Sequence, residues 1–344
     1  MTEPNPPSPL PSPEPLPWQR PLWRRLIEQQ HNGRLPHALL ITGSEGCGHG
    51  EFAEALAGYV LCLEPEEYAC GRCKSCLLFA QGTHPDVVRV RPSEAGKAIK
   101  VDQIRALAGF IGTSAQQGGY RVLVISPADD MNLNAANALL KGLEEPGNNT
   151  LFLLLSHRPG RLMPTIRSRC QQYALALPEA EEARRWLAQR LPAEADAGLL
   201  LSLSSGAPLN ALALHQCGEL DLRRERIAAL EQVIRRQVAV SVVAARWAKQ
   251  DALRLLEWFA TMAADLIRLR MVAMPAALRN PDAGGMLEKL APLSANEKLF
   301  EFRDKIHEYR SYLMRRSNPN QQLLWEDLLI EWRALFSAPR KPPE

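Results

Sequence analysis

The chain has no unbroken apolar stretch long enough to cross a bilayer, so no membrane-spanning helix is expected. It also lacks a strong excess of one charge. Against 41 Lys and Arg stand 38 Asp and Glu, and a net charge of +3 is too mild for the concentrated basic face of an autonomous nucleic-acid binder. No internal repeat is present, which excludes repeat architectures. The opening MTEPNPPSPLPSPEPLP has no basic start followed by an apolar run. It reads as a Pro-rich, extended and disordered tail over residues 1–17 rather than a secretion signal, and a cytoplasmic location is expected. What is present is ordinary soluble-protein composition, 46% hydrophobic and 23% charged, in 344 residues, more than one core usually organises. Two or three domains follow.

From Trp18 to about Ala176, short apolar runs at 38–41, 86–90, 121–126, 150–155 and 172–176 alternate with helix-like stretches. Near-continuous apolar strands separated by helices imply a parallel sheet covered on both faces. A helix is expected over 132–145, with Leu133, Ala136, Leu140 and Leu143 as its core stripe and Pro146-Gly147 ending it. Another is expected from Asp102, as N-cap, through Ile104, Leu107 and Ile111 to Gly118-Gly119. After Leu177-Pro178 the strand signal disappears. Residues 179–191 and 196–215 read as a small helical group around Gly206, and from about 220 onward the chain reads as wholly helical. Stripes containing Trp247, Leu255, Trp258, Phe259 and Met262, then Leu299, Phe302, Ile306 and Tyr309, then Leu324, Leu328, Trp332 and Phe336 suit the packing of a bundle. A loop is expected over 274–285, and Asn318-Pro319 opens the last helix.

Between the first strand and a helix over 51–61 lies Gly43-Ser44-Glu45-Gly46-Cys47-Gly48-His49-Gly50. This has the glycine frame of a phosphate-binding loop without its working side chains. In GxxxxGK[ST] the lysine reaches the β and γ phosphates and the hydroxyl holds Mg²⁺. His49 and Gly50 occupy those two positions, and neither does that chemistry. The eight residues alone fit a Gly-rich turn equally well. An active loop ATPase also needs acidic residues at the end of a neighbouring strand. The strand at 121–125 ends in Ser126-Pro127, and Asp129 and Asp130 come a few residues too late. Two separate elements of a hydrolytic site have lost their chemistry.

Cys62, Cys70, Cys73 and Cys76 form C-x7-C-x2-C-x2-C. In a reducing cytosol, four thiolates so close together suit a closed, structural tetrahedral Zn²⁺ site that clips an insertion too small for its own core. An iron–sulfur cluster and free core cysteines are the alternatives; the C-x3-C-P tail common in cluster proteins is missing. Cys47, Cys170 and Cys217 are isolated, and His84 reads as a hydrogen-bonded turn residue. The insertion as a nucleic-acid module would rest on the Arg72–Lys74 pair alone. Arg169 follows a short helix opened by Pro164 and precedes the strand from Gln172. By position it is a solvated surface arginine, although a guanidinium there could stabilise a γ-phosphate.

These residues, with Asn137-Ala138-Leu139-Leu140-Lys141-Gly142-Leu143-Glu144-Glu145-Pro146 and Ser168-Arg169-Cys170, resemble the AAA+ subunits of the bacterial sliding-clamp loader. The resemblance covers nearly all the chain after Trp18. The missing lysine and acidic pair make it similar to the non-hydrolysing member of that group rather than to the ATP-hydrolysing tau/gamma subunit. The cysteine insertion marks the group, not the member. The resemblance implies an α/β AAA+ domain at 18–177 with a zinc insertion at 62–76, a helical lid at 178–216, a helical collar at 217–337 and a tail at 338–344. It implies that Arg169 acts in trans on ATP bound by the adjacent subunit. Leu209 stands where active members carry a nucleotide-sensing arginine, and no functional ATP site is expected at Gly43, Gly48, His49 and Gly50. The implied partners are the tau/gamma and delta subunits in a hetero-pentamer, the sliding clamp, and primer–template DNA through the assembled complex. The chain would be a component of DNA polymerase III that is not an ATPase by itself. The rival reading is an active tau/gamma-like ATPase with a diverged site, in which His49 or Asp129 stands in.

Overall fold

The computed structural model describes residues 14–94, 96–111, 113–117, 119–272, 278–314 and 319–336. The first of two compact units comprises the described residues up to Arg185 together with Ala207–Asn210. In chain order it contains α1 (Arg20–His31), β1 (Ala38–Gly43), α2 (His49–Leu61), α3 (Lys74–Ala80), β2 (Val87–Val90), α4 (Val101–Arg105) and α5 (Ala108–Ile111). Then come β3 (Arg121–Ile125), α6 (Leu133–Glu144), β4 (Thr150–Ser156), α7 (Pro164–Arg167) and β5 (Gln171–Leu175).

All five strands are parallel, in the order β2-β3-β4-β1-β5. Their near-continuous apolar sequence follows from burial on both faces. Leu39 and Ile41 of β1, Val122 and Val124 of β3 and Leu151, Leu153 and Leu155 of β4 pack with α1 and α2. Leu40, Leu123, Ile125, Phe152 and Leu154 point the other way, toward α4 and α6. This is the AAA+-type α/β architecture expected from the sequence. The chain leaves β1 toward β2 and returns from β4 across β1 to β5, so the order reverses at the carboxyl end of β1. In open α/β sheets, ligand sites form at such a reversal.

Two helices differ from expectation. Asn132 caps α6 by accepting from the Ala135 N–H at 2.8 Å, but the buried face is Ala135, Ala136, Leu139, Gly142 and Leu143, while Leu133 is 63% exposed and Leu140 only half-buried. At 3.6 residues per turn, Leu133 and Leu140 lie roughly 100° round the helix from the centre of that face. Likewise Asp102 is not a cap. Lys100 holds the N-cap position because the Gln103 side chain accepts its N–H at 3.0 Å, which starts α4 before Asp102, and α5 is a separate turn.

The second unit, Trp186–Gly206 with the described residues from Ala211, is helical among those residues. After α8 (Ala180–Ala188), α9 (Ala197–Leu203) and α10 (Pro208–Gln216) come α11 (Glu219–Ile234), α12 (Val240–Trp247), α13 (Ala252–Met271), α14 (Gly284–Leu290), α15 (Asn296–Met314) and α16 (Gln321–Leu335). The expected loop over 274–285 therefore gives way to helix at Gly284, and its residues 274–277 lie outside the described ones. Asn318 is also outside; Asn320 caps α16 through the N–H groups of Gln322 and Leu323. Trp247, Phe259, Phe302, Trp325 and Trp332 are all buried, with edge-on contacts such as Phe259–Phe302 at 5.2 Å. No single helix among the described residues is long and apolar enough to cross a membrane.

One buried carboxylate organises the turn before α14. Asp265 is fully buried and accepts from the backbone N–H groups of Arg279 at 3.1 Å and Asn280 at 2.8 Å and from the Asn280 side chain at 2.8 Å. Asp265→Ala leaves three donors unsatisfied, and urea unfolding should show a loss of about 3 kcal/mol, the scale of stranding such donors.

Candidate functional site

Loop 43–48 leaves the carboxyl end of β1, where β5 lies close. A Cβ on Gly43 would stand 2.4 Å from the Leu175 carbonyl oxygen. Gly48 has a φ of +94°, and a Cβ there would lie 2.5 Å from both Gln19 Nε2 and Leu16 Cδ1. Only glycine serves at both positions.

Four successive loop carbonyls are taken by donors from elsewhere in the unit. The Asn210 amide donates to Glu45 at 3.2 Å and the Leu209 N–H to Gly46 at 3.2 Å. The Trp18 indole donates to Cys47 at 2.9 Å, and the Gln19 amide donates to Cys47 at 3.1 Å and to Gly48 at 2.7 Å. Leu209, at the position where the resemblance implies a lost arginine, thus packs on the loop through its backbone and its apolar side chain.

His49 opens α2 and turns back into the site. Its imidazole lies 3.5 Å from Cys47 Sγ, meets the His157 ring edge-on at 4.7 Å, and is hydrogen-bonded to the Thr42 backbone. It is 3% exposed. Burial first, and His157 second, push its pKa down to about 4, so it is neutral at physiological pH. A lysine here would extend an ammonium toward phosphate; this side chain fills the space instead. Gly50 brings no hydroxyl. Cys47 is also buried, which raises its thiol to about 11 and leaves it protonated.

Asp129 is closer to this cluster than its position in the sequence suggests, near enough to His49 to oppose the lowering of the imidazole pKa. Its side chain is fully buried. Burial alone would raise the carboxyl, but the Ser156 hydroxyl, its own N–H and Arg158 hold it below the ordinary value. Arg158 pairs with Asp129 at 3.2 Å and with Asp130 at 3.7 Å. The carboxylate is therefore ionised and paired with Arg158 through Oδ2, while its buried Oδ1 has no hydrogen-bond partner among the described residues.

Arg169 lies elsewhere on the unit, between α7 and the amino end of β5. Its Nη1 donates to the Thr165 carbonyl at 3.0 Å and its Nη2 forms an ion pair with Glu144 Oε1 at 2.5 Å. The Arg169 side chain is 36% exposed.

The four cysteines come together after α2. Their sulfurs all lie within 4.8 Å of one another, with Cys62–Cys73 and Cys70–Cys76 at 4.0 Å. Tetrahedral bonds of about 2.3 Å require sulfurs about 3.8 Å apart, so the set fits one metal ion. Backbone N–H groups of Cys70, Cys73 and Cys76 donate to Cys62, Cys70 and Cys73 at 3.2–3.4 Å. Burial pushes the Cys62 and Cys76 thiols up. It acts the same way on Cys73, but the N–H groups of Cys76 and Leu63 bring that thiol down to about 6. His84 stays outside the shell. Its Nδ1 accepts the Asp86 N–H at 3.1 Å, which leaves its Nε2–H to donate to Ser75 Oγ at 2.8 Å.

The sequence profile described as DNA polymerase III, delta subunit, matches residues 18–179, and the one described as DNA polymerase III, delta subunit, C terminal, matches 218–334. The DNA polymerase III subunit delta' of Pseudomonas aeruginosa is 39% identical over 322 residues, covering 93% of this chain and 97% of the relative. That of Escherichia coli K12 is 35% identical, over 91% and 94%. The chain belongs to the DNA polymerase III delta' family. A solved gamma subunit-related protein of Thermotoga maritima aligns over 93% of this chain and all of its own at 19% identity, with a TM-score of 0.46, too distant to bear on function.

In this delta' family member the glycine frame was visible in the sequence, but its closure was not. Trp18, Gln19 and Asn210 are common residue types far from the loop in sequence, and nothing in their spacing marks them. His157 follows β4 with no motif of its own.

Because the folded chain binds its His49 proton only near pH 4 and the unfolded chain near 6.5, this contribution is complete above 6.5 and is lost as pH falls toward 4. The loss should reach about 3 kcal/mol, from 1.36 kcal/mol per pH unit. His84, also lowered by burial, adds in the same direction. Denaturant titrations across this range should show a flatter pH slope in His49→Gln than in the parent protein.

Proposed function

We propose that the chain is the non-hydrolysing delta prime subunit of the DNA polymerase III clamp loader. In this reading it completes the ring that opens the sliding clamp and loads it at primer–template junctions. It turns over no ATP itself and lends Arg169 to the ATP site of a neighbouring subunit. The observation that carries the reading is His49: buried, neutral and folded against Cys47 and His157 in the position where a lysine would meet phosphate. The rival role for Asp129 as a metal-holding carboxylate is disfavoured by the ion pair that its Oδ2 already makes with Arg158.

The position of Arg169 supports a trans role. Leu175 pairs with Gly43 at the carboxyl end of β5, while Arg169 precedes the amino end of that strand. The five residues of β5 alone make four rises of about 3.3 Å, about 13 Å in all, which separates Arg169 from the loop by more than one side chain reaches. This guanidinium therefore serves no phosphate on its own loop. In the same reading, residues 178–216 are the lid and 217–337 the collar, tau/gamma and delta are the neighbours, and the protein works in the cytoplasm.

We also propose that the cysteine centre holds a structural Zn²⁺. Four thiolates close a tetrahedral shell and leave no position for water or substrate. Elemental analysis of the purified chain should give one zinc per polypeptide. Chelation should lower its melting temperature, and Cys76→Ser should remove the zinc.

The purified chain should neither bind Mg-ATP tightly nor turn it over; turnover at the rate of a working loader would defeat the proposal. In the reconstituted loader, Arg169→Ala should lower clamp-dependent ATPase by about 10³ or more, the lower end of what trans arginines supply.

A further inference from the structure

The acidic pair Glu144-Glu145 stands at the C-terminal end of α6, where the exposed carbonyls of the helix already carry partial negative charge. A carboxylate is disfavoured there and a cation preferred, so helix stability does not account for Glu144. Its contact with Arg169 does. The Glu144 carboxylate lies 2.5 Å from Arg169 Nη2, while the Thr165 carbonyl accepts from Nη1 at 3.0 Å. A hydrogen bond on one terminal nitrogen and an ion pair on the other restrict the direction of the guanidinium. Its Nε has no partner among the described residues. An arginine held by neither would spread over many rotamers, and that freedom would be lost each time it met an anion.

We propose that Glu144 is the positioning residue for Arg169, holding the guanidinium at the end of α7 in the orientation presented to a triphosphate on the adjacent subunit. This rests on the reading of Arg169 as a trans-acting arginine. Glu144 touches no nucleotide; it acts through Arg169 alone. The Thr165 carbonyl, as backbone, remains in any Glu144 variant, so loss of the carboxylate loosens the side chain without freeing it. The pair is half-exposed, and the effect should be of the size of a partly screened ion pair.

The test uses the fully reconstituted loader with clamp and primed DNA. Glu144→Ala should lower kcat for ATP hydrolysis about threefold to fivefold, the range of such a pair, with KM for ATP within about twofold. Glu144→Gln keeps the length and one acceptor oxygen and should restore most of the rate. Glu144→Lys, which repels the guanidinium, should be slower than Glu144→Gln. In an Arg169→Ala background Glu144→Ala should cause no further loss, because residues that act through one another are not additive. An unchanged kcat in Glu144→Ala, where Arg169→Ala is slow, overturns the positioning role while leaving the trans arginine intact. So does an equal fractional loss in both backgrounds, which would mark a purely structural residue. If the alanine variant fails to assemble, equal rates for Glu144→Gln and Glu144→Lys overturn the proposal. If Arg169→Ala itself is without effect, the trans-arginine reading falls first and this one with it.

Discussion

The close approach of β1 and β5 is the constraint on which the loop site depends. Gly43 pairs with Leu175, and the two backbones come so near that no side chain fits at position 43. That contact sets the direction in which the chain leaves the sheet. Gly46, at a φ of +81°, and Gly48, at +94°, then bend it round into the start of α2. Nucleotide chemistry is not needed to explain any of the three glycines. Each is required by backbone conformation or by a neighbouring atom, whatever side chains flank it.

What fills such a loop is decided by desolvation. A lysine in the same enclosed position, with no phosphate opposite it, would be an unpaired buried cation, and burying a charge without a partner costs several kcal/mol. A neutral imidazole hydrogen-bonded to the Thr42 backbone avoids that cost and adds contact with Cys47 and His157. The loop carbonyls are satisfied in the same way by Trp18, Gln19, Leu209 and Asn210. These bonds fix the path of the loop from within the protein.

The sheet was legible because strands buried on both faces must be apolar at nearly every residue, and the five runs stand out from their surroundings. The Cys62, Cys70, Cys73 and Cys76 cluster was legible because its thiols lie close together in sequence as well as in space. Helix α6 shows the limit: the stripe Leu133, Ala136, Leu140 and Leu143 named its type and two of its buried residues correctly, but Ala135, Leu139 and Gly142 complete the buried face in place of Leu133 and Leu140, and at Gly142 a neighbouring group comes close. A Cβ on Gly142 would stand 3.0 Å from Ile111 Cδ1. Such approach depends on what packs opposite, which periodicity does not contain. For the same reason the closure of the loop by Gln19 and Asn210, and the pairing of Arg169 with Glu144, were invisible: each joins residues from separate elements through single polar contacts.

Two polar features of the first unit thus occupy opposite ends of β5 and differ in kind. At its carboxyl end His49 and Cys47 are buried and neutral, and the buried, ionised Asp129 pairs with Arg158. At its amino end Arg169 is partly exposed and held by Glu144 and the Thr165 carbonyl. A chain serving its own nucleotide would place its cations at the carboxyl ends of the strands, where the loop lies. This one sets a guanidinium at the far end of β5, which is the placement that the proposed trans role of Arg169 requires.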